Sequence, residues 1–526
     1  MIIRVTMPKA TDSSIGDATD ETITGTPDEG DYSRRGFMEA AASMGAAGAA
    51  AGLSGCTEQF GGSGGDSKTK GEKDFIFWTM RGYIPEVTKN IKQAAKGFEK
   101  HSDSPVNVST NVIVWNQVFP KWNASIQGRT TPNVSEMANE HAVNFGSLGA
   151  TAPITDIYDS YDDWYGPMEA WASWDDKKWG VPWFVETRPM YYRKDLLEKA
   201  GHSKPPKDWK ELVKIGKDVV KETGNPGYIE PGARDFTTGQ HTFAYTANAG
   251  GKFYSKKDGK WQVELDSAGS LFGHLFYASL KKAWNLPADG WTSQDSSATD
   301  KFFRERDAGM AHLGAEDARL ARTKEHAGLR DNVGIQPMPE GPLGKQWSFR
   351  GGSCLSPFTD DVSKHDVGDL SNEFVKYMMQ PDNQSDYFAA SAPVFMPVRK
   401  SQEQMDLFTK NPTKLPDDWL DAFVTQAQET RRYGVYGGGQ DTPFLGSVEG
   451  STTGYSQAIS AILGSNKDPK EALVGMANNV RNEANKKLDY TLKNKSEKPS
   501  LDDAPKEVQD WITGSNNTPK IWNPYE

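Results

Sequence analysis

The chain has 526 residues, enough for two to four domains, and carries 60 Lys and Arg residues against 71 Asp and Glu, a formal net charge of −11. This acidic balance argues against a nucleic-acid partner and against binding to membranes through a polybasic surface. Sixteen Trp residues are many for this length. Most are expected in the core, but their flat faces also suit the apolar faces of sugar rings.

The first 55 residues predict an export signal. Residues 1–32 are polar and acidic without apolar periodicity, which predicts disorder. Arg34 and Arg35 then form a twin-arginine motif. An Ala/Gly run follows, too short and too weakly apolar to favour the alternative of a transmembrane helix, and it ends in Leu53-Ser54-Gly55-Cys56, which resembles a lipobox. The pattern predicts export of a folded protein, cleavage before Cys56 and lipidation of that thiol as the membrane anchor.

The residues after the anchor contain a single cysteine and begin with a polar segment. After Cys56 the chain contains only Cys354, so no internal disulfide is expected, and Cys354 is predicted to be a buried small apolar residue. Residues 57–73 are rich in Gly, Ser and charge, which predicts a flexible tether between the lipid and the folded body.

The folded body begins with the order strand, helix, strand. Residues 75–78 are apolar, residues 86–101 have apolar side chains at helical spacing, and residues 106–114 alternate. This order predicts a parallel sheet with ligand-binding loops at the carboxyl ends of its strands. The first such loop contains Arg81 and Tyr83 as candidate ligand contacts, with solvated loop residues as the equal alternative.

The stretch around Glu186 organises the rest of the chain. Residues 183–185 predict a buried strand that ends at this lone carboxylate, and residues 190–192 predict a second strand before a helix. Pro189 favours an extended conformation at Arg188, so the chain is expected to cross here between two structural units. Glu186 is therefore predicted to point into a cleft between them. The alternative is an ion pair across the hinge with Arg188, Arg193 or Arg350.

This stretch also carries a family resemblance. The family 1 extracellular solute-binding proteins, the maltose/maltodextrin-binding type, have a signature that the chain resembles through Gly180-Val181-Pro182, Glu186, residues 191–196, Ala200-Gly201, Pro205-Pro206 and Trp209. Further similar segments extend the resemblance over residues 74–485. It implies an α/β, two-lobed periplasmic-binding-protein type II fold in which each lobe is a mainly parallel sheet flanked by helices. The ligand cleft lies between the lobes.

The same resemblance implies domain boundaries. Residues 1–55 are the signal region and residues 56–73 the lipid anchor and tether. Lobe 1 comprises residues 74–187 and 350–393, and lobe 2 comprises residues 188–349 and 394–526. The three hinge crossings are expected near residues 185–190, 349–353 and 393–400. Residues 486–526 extend beyond the usual family ending and are expected to wrap around the body.

Further ligand contacts are implied by where relatives hold their ligands. Asn139, Glu140 and His141 fall where sugar-binding relatives place a polar cluster that hydrogen-bonds hydroxyl groups, although a plain helix N-terminus explains them equally well. Glu316 stands where maltodextrin binders carry a Trp, which argues against maltodextrin itself. Arg350 is a candidate for a ligand contact or an interlobe salt bridge. Sugar stacking or hydrogen bonding in two other loops is implied for Phe236, Thr237, Gln240, His241, Phe444 and Tyr455.

The chain is thus predicted to be a binding protein and not an enzyme. Its sequence contains no zinc-binding HExxH, no Cys pair after Cys56, no Gly-x-Ser-x-Gly and no phosphate-binding loop, and no cofactor or metal is expected. The predicted function is a monomeric lipoprotein on the outer face of a prokaryotic cytoplasmic membrane. It captures a carbohydrate and delivers it to the permease of an ABC transporter. The alternatives are a receptor for a non-sugar solute, such as a polyamine, peptide or polyol phosphate, and an exported glycoside hydrolase with two suitably spaced carboxyl groups.

Overall fold

The structure is a computed structural model that describes residues 73–80, 85–306, 308–323, 327–365, 368–410, 413–433, 441–449 and 454–526. The predicted export, lipidation and first-loop residues, Arg34, Arg35, Cys56, Arg81 and Tyr83, lie outside these ranges. No helix within them is long and apolar enough to span a bilayer. The described residues belong to one compact unit.

The strands are numbered in chain order. They are β1 Lys73–Thr79, β2 Val106–Val112, β3 Val134–Met137, β4 Ser173–Trp174, β5 Lys177–Lys178, β6 Val181–Glu186, β7 Met190–Arg193, β8 Tyr254–Lys257, β9 Lys260–Val263, β10 Met310–His312, β11 Val333–Gln336, β12 Ser348–Phe349, β13 Gly351–Pro357 and β14 Thr430–Arg431.

The α-helices between them are named by their residues. They are Pro85–His101, Trp115–Gln127, Asn139–Ser147, Thr155–Asp159, Lys194–Lys199, Trp209–Thr223, Phe236–Asn248, Ala268–Lys282, Ser296–Arg306, Glu316–Leu320, Ala327–Asn332, Gly368–Met378, Pro381–Ser391, Asp406–Thr409, Asp417–Gln428, Leu445–Glu449, Gln457–Gly464, Pro469–Ala484 and Gln509–Thr513.

The first sheet has five strands in the order β2-β1-β3-β13-β6. Strand β1 pairs in parallel with β2 and β3, which confirms the predicted β-α-β start. Alternate residues of β1, Phe75 and Phe77, are fully buried and pack against Phe374. Phe98 of the helix Pro85–His101 covers the same face. This sheet and its helices are called lobe 1 below.

The second sheet has the order β10-β7-β11 and belongs to lobe 2. Here β7 is antiparallel to both neighbours, whereas the sequence predicted a mainly parallel sheet in each lobe. Strands β10 and β11 therefore run in the same direction as each other and opposite to β7. Local sequence still sets the flanking helices. The helix Trp209–Thr223 starts where Asp208 accepts a 2.9 Å hydrogen bond from the Glu211 N–H and ends at Gly224, whose φ is 73°.

The chain passes from the first sheet to the second between β6 and β7, and it returns to the first sheet at β13. A third crossing was predicted near residues 393–400. Met396 extends the edge of lobe 1 by exchanging backbone hydrogen bonds of 2.9 and 2.8 Å with Val185, and Tyr165 donates to the carbonyl of Val398. The helix Asp417–Gln428 packs in lobe 2, where Gln426 accepts a 2.7 Å hydrogen bond from the Met338 N–H. Met396 and Val398 thus hydrogen-bond residues of lobe 1, although the predicted boundary assigns them to lobe 2.

The C-terminal residues 486–526 pack into lobe 2. Trp511 is 2% exposed and its ring contacts Trp209, Phe276 and Trp284. Val508 and Ile521 are buried in the same core, together with other apolar residues of this segment. The segment therefore forms part of the hydrophobic core of lobe 2.

Candidate functional site

A cleft of about 570 Å³ opens where the two lobes meet. Lobe 1 contributes Ala138 after β3, Glu186 at the end of β6 and the start of β13. Lobe 2 contributes the remaining walls. Its lining residues are Arg188, Asp235, Phe236, Thr237, Gln240, Asp295, Ser296, Ser297, Phe349 and Arg432. A second cavity, of about 480 Å³, lies against the helices Gln457–Gly464 and Pro469–Ala484, and none of the predicted ligand contacts lines it.

Glu186 occupies the centre of the lobe 1 wall. It pairs with Gly351 across the β6–β13 ladder, and its side chain is 33% exposed. A Cβ at Gly351 would lie 2.8 Å from the Glu186 Oε2 atom, so this glycine leaves room for the carboxylate. The Glu186 Oε1 atom is 3.9 Å from Arg188 Nε, too far for a hydrogen bond. This leaves carboxylate oxygens available to a ligand.

The other two ion-pair partners considered for Glu186 are engaged elsewhere. Arg193 makes two 2.9 Å hydrogen bonds to the carboxylate of Asp195. The guanidinium of Arg350 lies 4.5 Å from the centre of the Trp171 ring, and its Nη1 donates to the Pro167 carbonyl. Of the three arginines, only Arg188 stays near Glu186.

Arg188 offers a donor to the cleft. Its Nη2 donates a 2.6 Å hydrogen bond to Gln240 Oε1, and its guanidinium lies 5.1 Å from the centre of the Phe349 ring. The Nη1 atom is buried and donates to no described residue. A buried guanidinium N–H without an acceptor is costly, so this atom is well suited to a ligand oxygen.

Phe236 presents an apolar ring at the mouth of this polar cleft. It is 46% exposed, more than any other large apolar side chain of the described residues. It is the first residue of the helix Phe236–Asn248, and Asp235 precedes it. The next side chain, Thr237, donates a 2.7 Å hydrogen bond to Asp235 Oδ2. The loop predicted to stack a sugar ring thus places an aromatic face, a carboxylate and a hydroxyl side by side.

The predicted polar cluster after β3 is used within the protein. Glu140 is fully buried and forms an ion pair with Arg432 of lobe 2. Asn139 donates a 2.9 Å hydrogen bond to Asp441 Oδ2. His141 lies 4.9 Å from the Phe119 ring centre, and burial lowers its pKa to about 4, an effect that nearby Glu140 opposes. None of the three lines the cleft, because the helix that they begin is buried along its length.

Arg350 and Asp441 are both buried, and the charge of each influences the pKa of the other. Burial lowers the pKa of Arg350 to about 10, although the charge of Asp441 opposes this. Burial likewise raises the pKa of Asp441, opposed by Arg350 and by the hydrogen bond from Asn139. The Asp441 carboxylate also accepts a 3.0 Å hydrogen bond from the Ala172 N–H. Arg350 is not among the residues that line the cleft, and its predicted interlobe salt bridge stays a prediction.

Four further candidates also lie outside the cleft lining. Glu316 pairs with Arg319 at 2.6 Å on the helix Glu316–Leu320. Phe444 and Tyr455 are buried in the core of lobe 2, where both contact Tyr254, so they offer no exposed platform. His241 lies one residue beyond Gln240 and faces the lobe interior, where it forms with Glu230 and His312 the one group of three adjacent potential metal ligands among the described residues.

Several cleft residues were missed by the sequence reading. Asp235 directly precedes the predicted Phe236, and Arg188 lies two residues after Glu186 and was considered only as its ion-pair partner, so their neighbourhood was a usable signal. Asp295 begins the turn before the helix Ser296–Arg306 and accepts a 2.8 Å hydrogen bond from the Ala298 N–H. No local pattern distinguishes it or Arg432, which reach the cleft only through tertiary folding.

The comparisons with known proteins agree with this architecture. Residues 93–416 match the family model of bacterial extracellular solute-binding proteins. The chain is 23% identical to the diacetylchitobiose binding protein of Streptomyces coelicolor, over 62% of this chain and 76% of that protein. It is 24% identical to the maltooligosaccharide ABC transporter solute-binding lipoprotein of Streptococcus pneumoniae, over 66% of this chain and 78% of that protein.

A solved structure has a similar fold. The cyclic alpha-maltosyl-1,6-maltose binding protein from Arthrobacter globiformis superposes with a TM-score of 0.63 at 17% identity, covering 79% of this chain and 100% of that chain. At this identity the likeness concerns the fold, which is the predicted two-lobed α/β architecture.

Proposed function

We propose, since the chain belongs to the family of bacterial extracellular solute-binding proteins, that it captures a carbohydrate between its lobes and delivers it to the permease of an ABC transporter. Members of this family bind solutes outside the cytoplasm, in the periplasm or at the cell surface. The relatives from Streptomyces and Streptococcus are named for diacetylchitobiose and maltooligosaccharide. These names support an oligosaccharide as the solute.

The observation that carries the proposal is the exposed Phe236 ring in a cleft that also contains Glu186 and Arg188. Contact between water and the exposed half of an aromatic ring is unfavourable, and the C–H groups of a sugar ring can cover that surface. The Glu186 carboxylate accepts hydroxyl hydrogen bonds, and the Arg188 Nη1 donates to a ring or hydroxyl oxygen. The proposed ligand contacts are therefore Glu186, Arg188, Phe236, Thr237 and Gln240.

The charges of the cleft favour a neutral polyol over the non-sugar alternatives. Glu186, Asp235 and Asp295 face two guanidinium groups, of which Arg432 is already paired with Glu140. A polyamine site would need unopposed carboxylates, and a polyol-phosphate site would need an excess of cations. Charges of both signs that can hydrogen-bond hydroxyl groups instead suit a ligand that presents many of them.

Calorimetry with a ligand panel tests the proposal. The panel contains N,N′-diacetylchitobiose, maltotriose, an arabinooligosaccharide, spermidine and a pentitol phosphate. We expect saturable binding of one sugar per chain and no binding of the last two compounds. Saturable binding of spermidine or of the phosphate, with no sugar bound, would contradict the carbohydrate assignment. Chromatography of the bound oligosaccharide after prolonged incubation should recover it intact, and cleavage products would support the hydrolase alternative.

Two further features complete the proposal. Ligand binding closes the lobes about the three crossings, as hinged clamps do, so the radius of gyration measured by X-ray scattering should fall at saturating sugar. Lipidation of Cys56 after twin-arginine export would hold the receptor at the outer face of the cytoplasmic membrane.

A further inference from the structure

Three potential metal ligands meet behind the lobe 2 wall of the cleft. Glu230 precedes the loop at residues 232–235, His241 lies on the helix Phe236–Asn248, and His312 ends β10. All three are at most 2% exposed, and one ligand atom from each lies within 4.8 Å of the others. The Glu230 Oε2 atom is 3.2 Å from His241 Nδ1, and its Oε1 atom is 3.6 Å from His312 Nδ1.

The described residues leave the hydrogen-bonding capacity of His312 unused. Its side chain is fully buried, yet neither of its ring nitrogens makes a hydrogen bond to any described residue. Its nearest carboxylate oxygen, Glu230 Oε1, is 3.6 Å from Nδ1, beyond hydrogen-bond distance. A buried imidazole without a hydrogen bond costs free energy comparable to the lost bonds.

We propose that Glu230, His241 and His312 bind one divalent transition-metal ion of the Zn²⁺ type. Zinc binds imidazole nitrogen and carboxylate oxygen at about 2.0–2.2 Å, which places two ligand atoms of a tetrahedral site about 3.4 Å apart. The 3.2 Å between Glu230 Oε2 and His241 Nδ1 is close to this value, and one ligand atom from each of the three residues lies within 4.8 Å of the others. Two His and one Glu leave a fourth position open for water.

The residues around Glu230 hydrogen-bond it as the partners of a metal-ligating carboxylate do. The hydroxyls of Tyr228 and Tyr245 both donate to its Oε1 atom, and the two hydroxyls are 2.8 Å apart. The indole N–H of Trp291 donates to the backbone carbonyl of Glu230. Such hydrogen bonds fix the orientation of a metal-ligating carboxylate. The Oε2 atom shares a 3.2 Å hydrogen bond with His241 Nδ1, and a metal ion held by these two atoms would replace that bond.

The ion would connect elements that shape the cleft. His241 follows Gln240, whose side chain accepts from Arg188, and it lies one turn after Thr237. A metal that joins this helix to β10 would hold the cleft wall in place before a ligand arrives. We therefore expect the ion to act as a structural element of lobe 2.

Zinc binding by the full chain, prepared without a histidine tag and dialysed against a chelator, tests the proposal. Calorimetric titration with ZnCl₂ should give one equivalent bound and a raised melting temperature. Co²⁺ should bind at the same stoichiometry and give visible d–d absorption that Zn²⁺ abolishes. These measurements on the unaltered chain do not depend on whether a variant folds.

Matched variants locate the ion. His312→Gln should weaken zinc binding by more than about 100-fold, since loss of outer-shell partners alone costs 10–100-fold. His274→Gln is the control, because His274 is also buried in lobe 2 but bonds the Ser270 carbonyl at 2.8 Å; it should retain one equivalent. Absence of stoichiometric Zn²⁺ or Co²⁺ binding, or unchanged binding in His312→Gln, would overturn the proposal. An ordered water bridging the same atoms would then account for His312. Sugar titrations with and without zinc keep this outcome separate from the carbohydrate assignment.

Discussion

Replacing Glu186 by Gln removes one charge from the centre of the cleft and preserves the shape of the side chain. The Glu186 carboxylate lies 3.9 Å from Arg188 Nε, beyond hydrogen-bond distance, and it is one-third exposed. If it accepts sugar hydroxyls, the variant keeps neutral hydrogen bonds and loses their charge-assisted part. We expect a loss of about 1–2 kcal/mol in binding free energy, or about 5- to 30-fold in affinity.

The unliganded protein should tolerate the same substitution. A partly exposed ion pair at 3.9 Å contributes about 0–1 kcal/mol, so the free energy of unfolding should change by less than about 1 kcal/mol. Isothermal titration calorimetry with the sugar identified by the panel measures the first quantity, and urea denaturation without ligand measures the second. The variant thus yields two independent quantities, a binding free energy and a free energy of unfolding.

Glu316→Gln is the matched control. Its side chain is 35% exposed, close to the 33% of Glu186, and it also lies beside an arginine, but outside the cleft lining. We expect wild-type sugar affinity from this variant. Unchanged affinity in Glu186→Gln combined with lowered unliganded stability would refute the reasoning and assign Glu186 to the hinge. Weakened binding in Glu316→Gln would restore the ligand role suggested by its sequence position.

Four further outcomes are expected. Phe236→Ala should weaken sugar binding in calorimetry by about 1 kcal/mol, roughly fivefold, with little change in the urea midpoint because the ring is already half exposed. Glu140→Gln leaves Arg432 without its buried counter-charge and should lower the free energy of unfolding by about 3 kcal/mol; an unchanged value would show that the pair is dispensable. Burial lowers the pKa of His274 from 6.5 to about 4, so the unfolded chain binds more protons between these values and stability is lost as pH falls through that window. His274→Gln should therefore reduce the pH slope of the unfolding free energy there by about 1.4 kcal/mol per pH unit. Cys56→Ser should move the protein from the membrane to the soluble fraction with an unchanged melting temperature, and continued membrane retention would contradict the lipid anchor.

The parts of the site that could be predicted from sequence are those that a short segment of the chain determines. Glu186 ends an apolar strand, and the break in that strand predicted a crossing there. In the structure β6 of the first sheet ends at Glu186, and β7 of the second sheet begins at Met190. Phe236 and Gln240 share a loop-to-helix segment whose position in the family was recognisable, and both line the cleft. In each case the signal lies within a few residues of the side chain concerned.

The parts that could not be predicted depend on contacts between distant segments. Glu140 looked like a hydroxyl acceptor, but its partner Arg432 lies 292 residues later in the chain, and only the folded chain brings the two together. Phe444 and Tyr455 looked like a sugar platform, yet the core of lobe 2 closes over them. Whether an aromatic ring in a loop is buried or exposed depends on which surface covers it, and a single sequence does not reveal that surface.

The potential metal site shows the same limit. Glu230, His241 and His312 have no recognisable ligand spacing, because they come from a loop, a helix and a strand. Only the pairing of the helix Phe236–Asn248 with the sheet of lobe 2 brings their side chains together. A scan for short metal motifs therefore passes over them.

The packing of Trp511 has a consequence for how the protein is made. The ribosome synthesises the chain from its N-terminus, so the aromatic partners Trp209, Phe276 and Trp284 emerge more than 200 residues before the ring that covers them. Lobe 1 can assemble all of its strands once β13 has emerged. Lobe 2 completes its core only when residues 508–521 are available. Until then the nascent chain presents an unfinished aromatic surface, which is the kind of surface that chaperones bind.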